Sequence, residues 1–165
     1  MDFLQTTLCY LEKDGCYLML HRVKKKNDAN HDKWVGVGGK FEPGEDALAC
    51  VMREVTEETG LTMQVPAYRG IVDFYCTPWP AERMHLYTCT QFAGTMTDCS
   101  EGMLEWVPKQ AVQALPIWQG DKIFFDLLAK DAPFFHLELF YNGDTLIRAV
   151  LDGEELPLHY AGCDC

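Results

Sequence analysis

The sequence lacks any long run of apolar residues. None of its 165 residues belongs to an apolar stretch of membrane-spanning length, and the N-terminal residues Met1-Asp2-Phe3-Leu4-Gln5 do not form a basic region followed by an apolar one. Those two features mark transmembrane helices and secretory signal peptides. We therefore expect a cytoplasmic protein that does not enter a membrane.

The sequence is also poor in positive charge. It has 14 lysine and arginine residues against 25 aspartate and glutamate residues, and its net charge is −11. Nonspecific binding to nucleic acids depends on neutralising phosphates with Lys and Arg, so we expect no nucleic-acid polymer as a partner. A small phosphorylated ligand is compatible with this charge, because metal ions and a few local cations can neutralise its phosphates.

No two cysteines have the Cys-x-x-Cys spacing that is typical of zinc sites. The eight cysteines are scattered, mostly in apolar runs, and we interpret them as reduced core residues; a weak metal or redox role is left open only for Cys163 and Cys165. Repeats and low-complexity linkers are also lacking. With 48% hydrophobic residues, a chain of this length fits one domain spanning residues 1–165.

The most informative part of the sequence is the segment of residues 39–61. Asp46 can cap a helix after the Pro43-Gly44 turn and Gly60 can end it, so we predict a helix from about residue 46 to residue 59. Residues spaced by three and four form its apolar stripe, namely Ala47, Leu48, Val51, Met52 and Val55. The opposite face carries Glu54, Glu57 and Glu58, whose like charges repel one another.

An apolar, strand-like run of residues 34–40 ends in glycines just before this helix. Glycines there would expose backbone carbonyl groups beside the glutamates. Hard cations such as Mg²⁺ bind carboxylate and carbonyl oxygens, so the strand, glycine loop and helix together supply both kinds of ligand. A solvated glutamate face without any ligand is the alternative for the helix alone.

The segment of residues 39–61 resembles the Nudix box. Every fixed position is filled, with Gly39, Glu45 and the run Arg53-Glu54-Val55-Thr56-Glu57-Glu58-Thr59-Gly60-Leu61. The resemblance implies an α/β fold, a Nudix-type α/β/α sandwich with a mixed central β-sheet. It also implies a metal-dependent pyrophosphatase with Mg²⁺ or Mn²⁺ as cofactor. The resemblance is closest over residues 34–61 and looser from about residue 3 to residue 150.

The resemblance also assigns roles to individual residues. It implies metal ligands at the carbonyl of Gly38 and at Glu54, Glu57 and Glu58, and a further glutamate from a distant loop, for which Glu101 is favoured over Glu105. Arg53 would orient the catalytic glutamates, and Glu45 would support the loop and helix. Metal ions would withdraw charge from the attacked phosphorus and lower the pKa of a bound water. Glu54 or Glu101 would accept the proton of that water.

Other residues would bind the substrate. Arg22 matches a basic residue that contacts phosphates in related enzymes, and a surface arginine at a strand end is the alternative. The run Leu115-Pro116-Ile117-Trp118-Gln119-Gly120-Asp121 resembles a segment of enzymes that sanitise oxidised purine nucleoside triphosphates. There Trp118 would stack on the base and Asp121 would pair with its edge. The alternative is a core Trp118 and a helix-capping Asp121. Val35 stands where vertebrate enzymes of this class have an asparagine.

The expected reaction is therefore hydrolysis of an oxidised purine nucleoside triphosphate to monophosphate and pyrophosphate, as in an 8-oxo-dGTP diphosphatase that sanitises the nucleotide pool. One alternative is a pyrophosphatase acting on ADP-ribose or a nucleotide sugar. A second alternative is a non-catalytic Nudix module that senses a nucleotide. The expected partner is a small substrate linked through a nucleoside diphosphate, and the expected oligomeric state is a monomer or homodimer.

Periodicity and turn residues predict the remaining elements. The expected strands cover residues 3–12, 16–23, 34–41, 63–76, 83–92, 104–107, 134–141 and 145–151, and a second helix covers residues 123–130. The polar residues 24–33 are expected to form a mobile loop. Its three lysines, Lys24, Lys25 and Lys26, fit a solvated loop, with phosphate steering as the less favoured alternative.

Overall fold

The computed structural model describes residues 2–24, 28 and 30–158. The described strands are β1 (Leu4–Lys13), β2 (Cys16–His21), β3 (Trp34–Val35), β4 (Leu61–Met63), β5 (Ala67–Thr77), β6 (Glu82–Cys89), β7 (Phe92–Gly94), β8 (Met103–Pro108), β9 (Phe135–Asn142), β10 (Thr145–Leu151) and β11 (Glu154–Leu156). The described helices are α1 (Ala47–Thr59), α2 (Asp121–Ala129) and a 3₁₀ helix, Lys109–Ala114.

A large mixed sheet forms the centre of the fold. Its strands follow the order β11-β10-β9-β5-β6-β1-β2-β3, and β8 also pairs with β2. The β1–β6 and β5–β9 pairs are parallel, and the other neighbouring strands are antiparallel. Strands β4 and β7 form a separate antiparallel pair. The predicted α/β class with a mixed central sheet is confirmed.

The two α-helices cover opposite faces of this sheet. The hydroxyl of Thr7 in β1 lies 3.5 Å from the sulfur of Cys50 in α1. The ring of Tyr10, also in β1, packs against Phe124 and Phe125 of α2 with centroid distances of 5.9 and 5.0 Å. Successive side chains of a strand point to opposite faces, so odd and even positions of β1 contact different helices. This is the layering of an α/β/α sandwich.

Helix α1 has the predicted ends. The Asp46 carboxylate accepts a hydrogen bond from the Ala49 N–H at 2.8 Å, and Gly60 ends the helix with a φ of 79°. One position of the predicted apolar stripe is wrong, because Leu48 is 51% exposed. Helical geometry places Leu48 on the same side of α1 as Val55. Leu48 lies in the first turn, however, before Cys50, which is the first buried residue of the helix.

The predicted strand 34–41 is wrong as a single strand, because the chain changes partner within it. Strand β3 pairs with β2, and then Val37 exchanges two backbone hydrogen bonds with Cys9 of β1, at 2.6 and 3.0 Å. The Thr7 N–H donates to the carbonyl of Gly39 at 2.9 Å. A Cβ atom on Gly38 would lie 2.0 Å from the carbonyl oxygen of Thr7, so only glycine permits this close approach.

Several other boundaries differ from the predictions. Residues 63–76 are divided between β4 and β5, and residues 83–92 between β6 and β7. The short β4–β7 pair joins residues that are distant in sequence, and local periodicity does not show such a pairing. Helix α2 begins two residues before the predicted position, and β11 and the 3₁₀ helix were not predicted. Tight turns at Lys13-Asp14-Gly15 and Asn142-Gly143 join the antiparallel pairs β1–β2 and β9–β10, as their turn residues predict.

The six cysteines within the described residues are all unpaired, and five of them are buried. This agrees with their interpretation as reduced core residues, except that Cys16 is only half-buried. Cys163 and Cys165, and the loop residues Lys25 and Lys26, lie outside the described residues. In the portion of the chain that the structure covers, no helix has the length and apolar character needed to cross a membrane.

Candidate active site

A cavity of about 900 Å³ contains most of the candidate residues. Its walls include the even-numbered face of β1 at Leu4, Thr6 and Leu8, together with β5, β6, the glycine segment of residues 36–39 and the start of α2. One group of lining side chains is acidic and consists of Glu54, Glu58, Glu82, Glu101, Asp28 and Asp121. Another group is aromatic and consists of Phe74, Trp79 and Trp118.

Arg53 connects helix α1 to the loop that precedes it. Its Nε and Nη2 atoms donate to the two carboxylate oxygens of Glu45 at 2.7 and 2.9 Å, and Nη2 also donates to the carbonyl of Lys40 at 3.1 Å. Hydrogen bonds from Arg53 and from a backbone N–H lower the pKa of Glu45 to about 2. This paired, two-point contact fixes the angle between loop and helix. Glu45 therefore makes a charge-assisted contact with Arg53.

The same guanidinium holds Glu54. Arg53 Nη1 donates to Oε1 of Glu54 at 2.7 Å. The Glu54 carboxylate also lies against the backbone of Gly39, where an added Cβ atom would be 2.5 Å from the carboxyl carbon. A glycine at position 39 thus gives this carboxylate room beside the chain. One oxygen is bound by Arg53, and the side chain lines the cavity.

Glu58 has the least satisfied carboxylate of the cavity. Its Oε2 atom is buried and has no hydrogen-bond partner in the described part of the chain. Burial raises the pKa of Glu58 well above its usual range, and the neighbouring Glu101 and Glu54 raise it further. A buried acid that lacks a partner is costly unless a cation or proton compensates it. Glu58 is therefore suited to binding a cation.

The structure favours Glu101 over Glu105. Glu101 lines the cavity and accepts a hydrogen bond from Arg22 Nη1 at 3.1 Å. Glu105 lies within β8, opposite Met19 of β2, and is exposed outside the cavity. Gly102 sets this position, since a Cβ atom there would lie 1.9 Å from the carbonyl oxygen of His21. The close packing brings the preceding residue, Glu101, to the cavity.

Arg22 is less free than the sequence suggested. Its side chain is largely buried and makes contacts of 2.7 and 2.8 Å with Oδ2 of Asp28 in addition to its contact with Glu101. It is therefore not a surface arginine at a strand end. Phosphates that bind Arg22 would have to compete with two carboxylates.

Of the three glutamates on the polar face of α1, Glu54, Glu57 and Glu58, only Glu57 does not line the cavity. Its side chain is 58% exposed, and it accepts a hydrogen bond from Arg53 Nη1 at 3.1 Å. Gly38 does line the cavity. Gly38, Glu54, Glu58 and Glu101 thus line one cavity. Glu45 and Glu57 instead accept hydrogen bonds from Arg53.

The donor set of the cavity fits a divalent cation. Carboxylates and a backbone carbonyl are hard oxygen ligands, and the unpartnered oxygen of Glu58 needs a cation or proton. A tighter trio of ligand-type side chains within the described ranges lies elsewhere, at Asp73, His136 and Glu138. Arg83 already neutralises the Asp73 carboxylate and His136 is hydrogen-bonded to it, so that trio lacks the unsatisfied charge of the cavity.

The candidate base-binding residues also meet in the cavity. Trp118 is only 5% exposed, its ring packs edge-on against Phe74 and Tyr141, and Lys33 Nζ lies 4.5 Å from the ring centroid. Val35, also buried, lines the same space and offers no polar atom. Trp118 is thus both a core residue and a wall of the cavity, so the two alternatives do not exclude each other.

Asp121 is buried at the first position of α2. It is 4% exposed and lines the cavity, and its side chain makes no capping hydrogen bond at the helix start. Burial raises the pKa of Asp121 to about 8, against a smaller opposing effect of Lys33. At neutral pH its carboxyl group is mostly protonated, so it can both donate and accept a hydrogen bond.

Sequence analysis did not identify several polar residues of the cavity wall, among them Glu82, Asp28 and Asn30. Asp28 binds Arg22, and Asn30 accepts a hydrogen bond from Trp118 Nε1 at 2.6 Å. Both lie in residues 24–33, which composition marks only as a polar loop. Asp and Asn are common in such loops, so nothing in the sequence distinguished these two from their neighbours.

The chain is similar to known proteins in sequence and in fold. A sequence model of the NUDIX domain matches residues 4–128. The chain is 29% identical to the uncharacterized Nudix hydrolase YvcI of Bacillus subtilis, over 94% of this chain and 99% of that protein. It is 25% identical to the oxidized purine nucleoside triphosphate hydrolase of Danio rerio, over 79% of this chain and 85% of that protein. The crystal structure of a MutT protein from Bacillus halodurans matches with a TM-score of 0.78 and 30% identity, covering 91% of this chain and 98% of that one.

Proposed function

Because this chain belongs to the Nudix family, we propose that it hydrolyses an oxidised purine nucleoside triphosphate to the monophosphate and pyrophosphate, with Mg²⁺ or Mn²⁺ as cofactor. Family membership supports an enzyme of the hydrolase class, and Nudix hydrolases generally use divalent metals. The oxidised purine is the more specific part of the proposal. It draws support from the similarity to the Danio rerio enzyme.

One observation carries the proposal: a single cavity contains both a cluster of glutamates and a wall made by Trp118 and Asp121. A nucleoside triphosphate has the matching two parts, a chain of phosphates and a flat base with polar edges. The volume of about 900 Å³ lies within the usual range of small-molecule sites.

At the phosphates, we assign cation binding to the carbonyl of Gly38 and to Glu54, Glu58 and Glu101, which line the cavity. The family resemblance alone assigns Glu57 as a further ligand, since its side chain lies outside the cavity and contacts Arg53. A divalent cation held there would offset phosphate charge and make a water molecule more acidic. Arg53 fixes Glu54 through its Oε1 atom, and the Glu54 side chain lines the cavity. Glu54 or Glu101 accepts the proton of the attacking water, because both carboxylates face the cavity.

At the base, Trp118 offers a ring that its neighbours already hold in place. Stacking on such a ring contributes about 1 to 3 kcal/mol per base in nucleic-acid complexes. A mostly protonated Asp121 can donate to a base carbonyl or accept from a base N–H. The two residues together can therefore orient a purine.

The decisive experiment is a substrate panel with Mg²⁺ and with Mn²⁺. It would compare kcat/KM for 8-oxo-dGTP, the ordinary nucleoside triphosphates, ADP-ribose and a nucleotide sugar, and identify the products. We expect 8-oxo-dGTP to have the highest kcat/KM, with pyrophosphate as a product and no turnover in excess chelator. A preference for ADP-ribose or the nucleotide sugar would establish the other substrate class. Nucleotide binding without any turnover would establish a sensing module.

A pair of glutamate variants tests the assignment of the site. Glu101→Gln should lower kcat by about 100-fold, the usual size of an acid–base contribution, because its carboxylate faces the cavity. Glu105→Gln is the matched control in the same segment, and it should keep full activity. Circular dichroism would confirm that both variants fold. Equal activities of the two variants would contradict the assignment of Glu101.

A further inference from the structure

The amide of Asn30 has a fixed orientation in the cavity wall. Its Oδ1 atom accepts a hydrogen bond from Trp118 Nε1 at 2.6 Å. An indole N–H can only donate, so the oxygen of the amide, and not its NH₂ group, must face Trp118. The NH₂ group is consequently turned away from the tryptophan. It has no hydrogen-bond acceptor among the residues that the structure describes, and Asn30 lines the cavity.

Both sides of this hydrogen bond are held by other contacts. The Asn30 backbone N–H donates to Oδ1 of Asp28 at 3.2 Å, and Arg22 in turn binds Oδ2 of Asp28. Trp118 is buried and packs edge-on against Phe74 and Tyr141, whose rings also contact each other. Rotating the amide by 180° would set its NH₂ group against the indole N–H and lose the hydrogen bond. Asn30 therefore presents a donor to the cavity.

We propose that Asn30 determines base specificity, donating a hydrogen bond from its NH₂ group to a carbonyl oxygen on the edge of the purine. This inference rests on the proposed function, since it concerns the base of the same substrate. Val35 supplies no polar atom to the cavity, and Asn30 supplies one from a different segment of the chain. The substrate class is then a 6-oxopurine nucleotide, and 6-aminopurine nucleotides are disfavoured.

The discrimination follows from the chemistry of the two bases. Guanine and its oxidised forms carry a carbonyl oxygen at position 6, whereas adenine carries an amino group that donates. A donor held against another donor leaves both without a partner, and sites built around a required hydrogen bond reject such ligands strongly. Because Trp118 prevents the amide from flipping, Asn30 cannot adapt to adenine.

Two variants test the proposal through the ratio of kcat/KM for dGTP to that for dATP. Asn30→Asp keeps the shape and the bond from Trp118 but replaces the donor with an acceptor, so the ratio should fall by at least about 10-fold. Its added charge affects both substrates equally, because both carry the same phosphates. Trp118→Phe keeps a ring but removes the N–H that fixes the amide, so the ratio should fall by about 3- to 10-fold. Asp32→Asn, an exposed change in the same loop, is the control and should keep the wild-type ratio.

A binding measurement separates this inference from the proposed function. Calorimetric titration of GMP and AMP in chelator requires no turnover, and we expect the wild type to bind GMP about 10-fold more tightly and Asn30→Asp to lose that preference. If the wild type hydrolyses no triphosphate but shows this binding pattern, the proposed function fails and the role of Asn30 stands. Wild-type ratios in both variants, or no binding preference in the wild type, would overturn the role of Asn30.

Discussion

At the scale of single residues, burial raises the pKa of the Asp121 carboxyl group and thereby makes the stability of the protein depend on pH. The unfolded chain releases an aspartate proton near pH 3.9, whereas burial keeps the proton in the folded protein up to about pH 8. The folded protein therefore binds one more proton than the unfolded chain between these values. Its stability falls as the pH rises through that range, and the loss is complete above about pH 8.

Asp121→Asn should remove this pH dependence, because asparagine has nearly the shape of the protonated acid and does not ionise. We expect the melting temperature of the variant to exceed that of the wild type by roughly 3 to 8 °C at pH 8.5 and to differ little at pH 4. Thermal unfolding followed from pH 4 to pH 9 measures the difference. Asp144→Asn, with a side chain that is 79% exposed, should show no such divergence. A constant difference at every pH would contradict the burial of an ionisable carboxyl group.

The residues of the box could be predicted from the sequence because their spacing is local. Helical periodicity and the caps at Asp46 and Gly60 define α1, and the resemblance supplies the roles of its glutamates. Asn30 could not be predicted, because its importance depends on Trp118, which is 88 positions away in the sequence. The resemblance already favours Glu101 over Glu105, but the position of Glu105 within β8, outside the cavity, depends on the register between β8 and β2, which only the structure provides.

At the scale of elements, Arg53 joins α1 to the loop of residues 40–45. Its guanidinium contacts Glu45, Glu54, Glu57 and the carbonyl of Lys40 at the same time. Lysine keeps the charge but cannot form this planar, forked set of contacts. The position of the loop relative to the helix therefore depends on an arginine at this position.

Arg53→Lys should lower kcat/KM by about 100-fold, because misplacing catalytic groups by about 1 Å has effects of this size. We also expect a modest fall in melting temperature, since the loop loses its anchor on α1. Steady-state kinetics and thermal unfolding would be compared with those of Arg148→Lys, which alters an exposed ion pair with Glu155. If both variants retained wild-type kcat/KM, the positive charge alone would be sufficient at position 53.

On the sheet, Asp73 connects three strands through its side chain. It is fully buried in β5, accepts two hydrogen bonds from Arg83 of β6 and lies 2.7 Å from His136 of β9. Burial acts to raise the pKa of Asp73, but its contacts with Arg83 and His136 outweigh that effect and lower the pKa. The neighbouring residue Phe74 points to the opposite face and lines the cavity.

Asp73→Asn should therefore affect stability more than catalysis. Asp73 is buried but its partners are partly exposed, so losing these charge-assisted hydrogen bonds should cost about 1.5 to 3 kcal/mol, which corresponds to roughly 3 to 12 °C in melting temperature for a chain of this size. We expect kcat/KM at 20 °C to change less than about 3-fold, since the side chain faces away from the cavity. Asp131→Asn is the control, because it removes an ion pair whose aspartate is 94% exposed. A large loss of activity in folded Asp73→Asn would place Asp73 in the active site.

At the scale of the whole molecule, net charge sets how an anionic substrate approaches. The chain carries a net charge of −11, and acidic side chains also line the cavity. A nucleoside triphosphate remains negative even with one bound divalent cation, so long-range electrostatics oppose association. Metal ions and nearby basic groups act only at short range, after the substrate has come close.

Monovalent salt should therefore increase kcat/KM. Screening shortens the range of electrostatic interactions from about 30 Å at 0.01 M to about 8 Å at 0.15 M, and it weakens repulsion over the distance of approach. With divalent cation held saturating, we expect kcat/KM to rise by about 2- to 5-fold between 20 and 200 mM KCl and kcat to stay constant, because the bound complex is already formed. A parallel series with sucrose, which changes the viscosity but not the ionic strength, would show whether diffusion limits kcat/KM. A fall in kcat/KM with salt would mean that local positive potential at the cavity mouth outweighs the charge of the rest of the molecule.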